Sequence, residues 1–121
     1  MLGSTRNIRV YAYGRPVDMR LGYNGLYGLV TQELGRNPLS GDIFLFVGRD
    51  RKRAKALMWD GTGLCVYSKR LERGRFAALW PTEGKEGKVL TVSELQLFLE
   101  GSRAVGRYTL SPPEFEHQIG V

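Results

Sequence analysis

Five apolar residues in succession, Ile43-Phe44-Leu45-Phe46-Val47, stand between the turn cluster Asn37-Pro38-Leu39-Ser40-Gly41 and Gly48. Successive side chains of an extended chain point to opposite faces, so a run with no polar alternation must be covered on both. It predicts a central strand of a sheet, and the rest of the chain has to supply that sheet and its cover.

Upstream, residues 6–13 alternate Ile8, Val10 and Ala12 with Arg9, Tyr11 and Tyr13, the period of two of a strand, and Gly14-Arg15-Pro16 ends it. The period then changes. Met19, Tyr23, Leu26, Tyr27, Val30 and Leu34 follow helical spacing, Asp18 stands where an N-cap belongs and Gly35 where a C-cap glycine does, which predicts a helix over 18–34. Gly22, Gly25 and Gly28 recur every third residue inside it. Each costs about 0.5 to 1 kcal/mol relative to alanine, a cost that close packing of the helix on the sheet, or close approach to a partner or to DNA, would offset.

Downstream, Lys55 to Asp60 and Leu64 to Ser68 read as two strands joined by Asp60-Gly61-Thr62-Gly63, so the middle of the chain is an antiparallel meander. Residues 81–87 are polar and glycine-containing and read as a surface loop. Thr91 and Glu94 have capping-box spacing, Leu90 and Leu95 that of the flanking hydrophobic staple, and Gly101 closes a helix over 92–100. Val92, Leu95 and Leu99 are expected to face the core with Phe98 beside them. The fold class that follows is α+β: an antiparallel sheet of four to five strands, the first helix packed on one face and the short second helix at an edge. Residues 1–101 form one domain in this reading, and 102–121, with Ser111-Pro112-Pro113, form an extended tail.

The chain has 121 residues, with 18 Lys and Arg against 12 Asp and Glu, a net charge of +6 and a pI near 9.8. That balance favours nucleic acid or an acidic surface as partner. One cysteine, Cys65, and one histidine, His117, allow neither an intrachain disulfide nor a Cys/His metal site. No apolar run is long enough for a membrane span, and a cytoplasmic location is the expectation. The candidate metal-holding carboxylates have simpler roles: Asp18 as a cap, Asp60 as a turn former and Glu72 as an ion-pair partner of Arg70 or Arg73. Asp42 completes that acidic set. No cofactor and no catalytic constellation is expected.

The excess charge is concentrated. Five of the seven residues from Arg49 to Lys55 are cationic, and a second basic stretch follows at Lys69, Arg70, Arg73 and Arg75. On a hairpin tip projecting from a sheet, these side chains suit a phosphate ridge. Arginine forks at Arg49, Arg51 and Arg53 bind phosphate oxygens or guanine edges, and Lys52 and Lys55 add charge. The nine cations are the candidate DNA-binding residues. Trp59, Tyr67, Phe76 and Trp80 interleave with them and would stack unpaired bases if exposed or fill the core if not.

The order of the motifs adds a context. Asp18-Met19-Arg20 with Gly22 and Gly25-Leu26, then Phe44-x-Phe46, Trp59-Asp60-Gly61-x-Gly63 and Lys69-Arg70-Leu71-Glu72-x-Gly74-x-Phe76, resembles the TnpB-type accessory protein of the IS sixty-six family of bacterial insertion sequences. The resemblance spans about residues 5 to 101. It implies a non-catalytic protein that assists transposition beside a separate, larger transposase carrying the acidic catalytic residues. The partners it implies are element DNA, engaged at the basic hairpin, or alternatively the transposase itself.

Overall fold

The computed structural model describes residues 7–80 and 86–101. Its elements in chain order are β1 (Val10–Tyr13), α1 (Tyr23–Gly28) running on into a wider turn at Leu29–Glu33, β2 (Ile43–Val47), β3 (Arg53–Trp59), β4 (Leu64–Arg70), β5 (Glu86–Leu90) and α2 (Val92–Phe98). The strands form one five-stranded sheet in the order β4-β3-β2-β1-β5. The apolar run is β2, and it lies at the centre.

The sheet is antiparallel except between β1 and β2, which pair in parallel with Val10 opposite Ile43 and Ala12 opposite Leu45. Parallel neighbours need a crossover, and α1 supplies it. From β2 the chain forms the expected meander, Val47 opposite Ala54 and Arg53 opposite Arg70.

Two apolar clusters lie on opposite faces, as alternation along β1 and β2 requires. On one face Tyr11, Tyr13, Phe44, Phe46 and Leu57 meet Leu26, Val30 and Leu34 of the first helical stretch. On the other, Val10, Ala12, Leu45, Val47 and Ala54 meet Phe76, Leu79, Leu95 and Phe98. The second helix is therefore not at an edge: it covers the face opposite α1, where Phe98 stacks on Phe76 with centroids 5.2 Å apart. Uncovered, that side of β2 would leave Leu45 and Val47 in water.

The first helix starts later than residue 18. The Asp18 carboxylate instead accepts the Arg20 backbone N–H at 2.9 Å, and the Leu21 N–H bonds to the Asp18 carbonyl, so residues 18–21 make a turn. Gly22 precedes the first helical residue in extended conformation, with no side-chain cap. Toward its end the helix widens, the Leu34 N–H reaching the Leu29 carbonyl five residues back, before Gly35 stops it at a φ of 63°. The repeated glycines do not share one cause. A Cβ on Gly25 would lie 2.6 Å from the Leu21 side chain, whereas one on Gly22 or Gly28 would meet nothing within 4 Å. Close packing on the sheet does not account for the last two.

β5 begins inside the expected 81–87 loop and runs three residues past it. Its pairing with β1 is irregular between Tyr11 and Tyr13, and a Cβ on Gly87 would lie 2.6 Å from the Ala12 carbonyl oxygen and 2.8 Å from that of Leu79. Only glycine lets the backbone in there. At α2 the capping box is complete, Thr91 Oγ1 accepting from the Glu94 N–H and the Glu94 carboxylate from the Thr91 N–H. The buried side chains are Leu95, Leu97 and Phe98, while Val92, expected inside, is exposed. The tail from 102 onward, with His117, and residues 81–85 of the expected loop lie outside the described residues.

Candidate nucleic-acid interface

At one end of the sheet β2 ends, β3 begins and β4 ends, and the cations of both basic stretches gather there. The turn from β2 to β3 is tight: the Gly48 N–H bonds to the Arg53 carbonyl at 2.9 Å, the Arg51 N–H to the Gly48 carbonyl at 2.9 Å, and Arg51 adopts a left-handed φ of 60°. A Cβ on Gly48 would lie 2.8 Å from Met19 Cγ, so the turn closes against the 17–19 segment, where the Val17 N–H bonds to the Val47 carbonyl.

The tip does not project. It folds onto the chain after β4, with the Leu71 N–H on the Lys52 carbonyl at 2.8 Å, the Phe76 N–H on the Arg51 carbonyl at 2.7 Å and Arg51 Nη1 on the Phe76 carbonyl at 3.3 Å. Because Phe76 is itself buried, this lacing ties the basic turn to the core. The two basic stretches become one surface.

The nine sequence-selected cations divide by what their charged groups touch. Lys55 Nζ donates to the Leu21 carbonyl at 2.8 Å, fastening the approach to α1, and Lys69 Nζ donates to the Leu99 carbonyl at 2.8 Å, at the C-terminal end of α2 where a cation offsets the helix dipole. Both lysines are half-buried, as is Arg51. Arg49, Lys52, Arg53, Arg70, Arg73 and Arg75 are exposed. Arg53 and Arg70 sit directly opposite each other on β3 and β4, a like-charge pair that opposes strand pairing. Arg70 is relieved by Glu72 at 3.3 Å, both side chains more than 70% exposed. An ion pair that open to solvent contributes about 0 to 1 kcal/mol and yields readily to a stronger anion.

Beside this end lies an open cleft of about 460 Å³ lined by Val17, Asp18, Met19, Gly48, Arg49 and Arg53 among others. The Arg20 side chain, 89% exposed, pairs with Asp18 of this lining at 2.9 Å. This contact and the Arg20 backbone N–H hold the Asp18 carboxyl down at about 2. Arg20 belongs to the same basic end and was missed because it is isolated in sequence. Only the turn at 18–21 brings it near the hairpin.

The carboxylates are dispersed. Asp42 accepts from the Arg9 N–H at 3.2 Å and from Ser40 Oγ at 3.3 Å. Asp60, at the far end of β3, folds its turn by accepting the Thr62 and Gly63 N–H groups, each at 2.9 Å, and those bonds hold it at about 2. Cys65 Sγ donates to Asp60 Oδ2 at 3.5 Å, and partial desolvation by its neighbours, then that carboxylate, pushes the exposed thiol up. Among the described residues no three Asp, Glu, Cys or His side chains group as metal ligands, and no helix is long and apolar enough to cross a membrane.

Of the interleaved aromatics, Phe76 is core, and Trp59 and Trp80 are half-buried. Tyr67 is 54% exposed on the sheet face that bears α2. There, toward the Asp60 end, an apolar groove of about 230 Å³ runs between Ile43, Met58, Cys65, Tyr67, Leu95 and Leu99.

A family model described as IS66 Orf2 like protein matches residues 8–106. Among curated proteins, the chain is 41% identical over 97 residues to "Uncharacterized protein y4hO" of Sinorhizobium fredii (strain NBRC 101917 / NGR234), covering 80% of this chain and 81% of the relative. To "Uncharacterized protein y4jC" of the same strain it is 41% identical over 76 residues, 63% of this chain and 65% of that one. No solved structure matches it. The family match takes in both basic stretches, the Asp60 turn and α2, and by it the chain belongs to the IS66 Orf2-like family of insertion-sequence transposition accessory proteins.

Proposed function

We propose that this chain is a non-catalytic accessory protein of insertion-sequence transposition that binds element DNA through the basic end of its sheet. The observation that supports this reading is the convergence of two sequence-distant basic stretches on one braced surface, with Arg53 opposite Arg70. Folding gains nothing from that juxtaposition, whereas phosphate oxygens relieve it.

The test is an anisotropy titration against terminal-repeat DNA at several salt concentrations, comparing wild type with a triple variant, Arg49→Ala, Lys52→Ala and Arg53→Ala. These three side chains are exposed and, unlike Arg51, make no hydrogen bond to another segment among the described residues. Wild type is expected to bind tightly at low salt and the triple variant at least tenfold more weakly, about 1.4 kcal/mol. Equal, weak binding by both would sink the DNA reading.

A second reading is docking on the separate transposase, and the apolar groove favours it, since an exposed Tyr67 beside Met58 and Leu99 offers a surface a protein partner would cover. Co-purification with the transposase is the measurement that would then decide.

A further inference from the structure

We infer that the basic end takes double-stranded DNA by its phosphates, through Arg49, Lys52, Arg53, Arg70 and Arg73. This rests on the DNA-binding reading above and narrows it to a form of nucleic acid and a set of contacts.

Cations that already serve the fold are poor candidates for phosphate contacts. To reach a phosphate, Lys55 would have to leave the Leu21 carbonyl and Lys69 the Leu99 carbonyl, each giving up a 2.8 Å charge-assisted bond inside a half-buried site. Hydrogen bonds to charged groups are the strong ones, and the carbonyl left behind would be unsatisfied. Arg51 has the same conflict with the Phe76 carbonyl. Arg75 is exposed but has a partner within the chain. The other five give up only solvent-exposed contacts, Arg70 its pair with Glu72 and Arg53 its attraction to the Asp18 carboxylate across the cleft.

The form of nucleic acid follows from what is missing beside them. Binding of unpaired strands combines a basic track with aromatic faces on which successive bases stack. Along β4, Arg70 shares a sheet face with Leu64 and Val66, while Tyr67 alternates to the opposite face with Cys65. Phe76, the aromatic nearest in sequence to Arg73, is fully buried against Phe98. Among the described residues Tyr23 is the other exposed aromatic, one ring on α1 and not a series. Among the described residues the surface offers charge to a backbone and no series of exposed aromatic faces for bases. A duplex, with its bases paired and two phosphate rows exposed, satisfies that chemistry best.

The distinction is quantitative. Five phosphate contacts give a log-log salt slope of about −4 to −5, whereas all nine basic side chains would give about −8. The experiment titrates the full chain with a short mixed-sequence duplex and with one of its separated strands, at several salt concentrations, for wild type, Arg49→Ala, Arg73→Ala, Lys55→Met and Lys69→Met. The expected result is tighter binding of the duplex with a slope of about −4 to −5, made shallower by about 1 in each arginine variant. Both lysine variants should keep the wild-type slope while melting at lower temperature.

Tighter binding of the separated strand, or a slope loss in the lysine variants equal to that of Arg73→Ala, would overturn the inference and leave DNA binding itself standing. Salt-sensitive binding to neither form would overturn both. Arg73 lies in an exposed loop between β4 and Phe76, so its variant tests the slope without threatening the core.

Discussion

Asp60 shows how much of this molecule depends on single side chains that bond backbone. Its carboxylate oxygen takes the N–H groups of Thr62 and Gly63 and the Thr62 hydroxyl, turning the chain from β3 into β4, with Gly61 at a φ of 107°. The ionised form is the better acceptor, so folding lowers its pKa from 3.8 to about 2. A carboxyl whose folded pKa is depressed contributes stability that is complete above the unfolded value and lost as pH falls through the folded one. Stability should therefore decline between about pH 4 and pH 2, with Asp18, also held at about 2 by Arg20, acting in the same window. Asp60→Asn keeps an acceptor oxygen without the titration, so its urea midpoint should be lower than wild type at neutral pH but fall less on acidification. Parallel declines for the two proteins would refute this role. The Asp-Gly pair was readable as a turn because its chemistry is local; that Lys55 and Lys69 end on the carbonyls of Leu21 and Leu99 was not, since those partners lie 34 and 30 residues away.

Among the elements, those that announce themselves in sequence carry their own stop and start signals. α2 has a complete capping box and Gly101 at a φ of 105° beyond its end, and it forms over 92–98, close to the range its sequence predicts. Asp18 and Met19 fit the helical period of α1, yet the Asp18 carboxylate satisfies the Arg20 N–H locally and draws 18–21 into a turn. Polar and glycine-containing, Glu86-Gly87 reads as the end of the 81–87 loop; it opens a strand because the edge of β1 accepts it. Gly87 is the residue on which that acceptance depends. Gly87→Ala would drive a methyl against two backbone oxygens, neither of which can rotate away, so β5 should peel from β1 and the protein lose about 2 kcal/mol or more. Chemical denaturation measures the loss, and a change of a few tenths of a kcal/mol would show the strand pairing to be looser than described.

For the molecule as a whole, the sheet carries a helix on each face, leaves both edges without a strand partner among the described residues, and gathers its cations at one end. β2 is hydrogen-bonded on each side and covered above and below, whereas among the described residues β4 and β5 each pair on one side only. Local opening follows that order. Amide hydrogen exchange should be slowest at Phe44, Leu45 and Phe46 and faster along β4, even though β4 is the longer strand. Protection in β4 equal to that in β2 would imply that the edge is covered in solution by a second strand, and sedimentation would then show an assembly.

From residue order alone came the central strand, the meander, the capped second helix and the two basic stretches, because period, turn chemistry and charge density act over a few neighbouring residues. Tertiary structure alone decided that β1 and β2 run parallel, that α2 covers the face opposite α1, that β5 exists, and that Arg53 lies against Arg70 while Lys55 and Lys69 turn inward. Those outcomes depend on which distant surfaces need cover and which distant carbonyls need a donor. Such requirements arise only once the chain has folded back on itself.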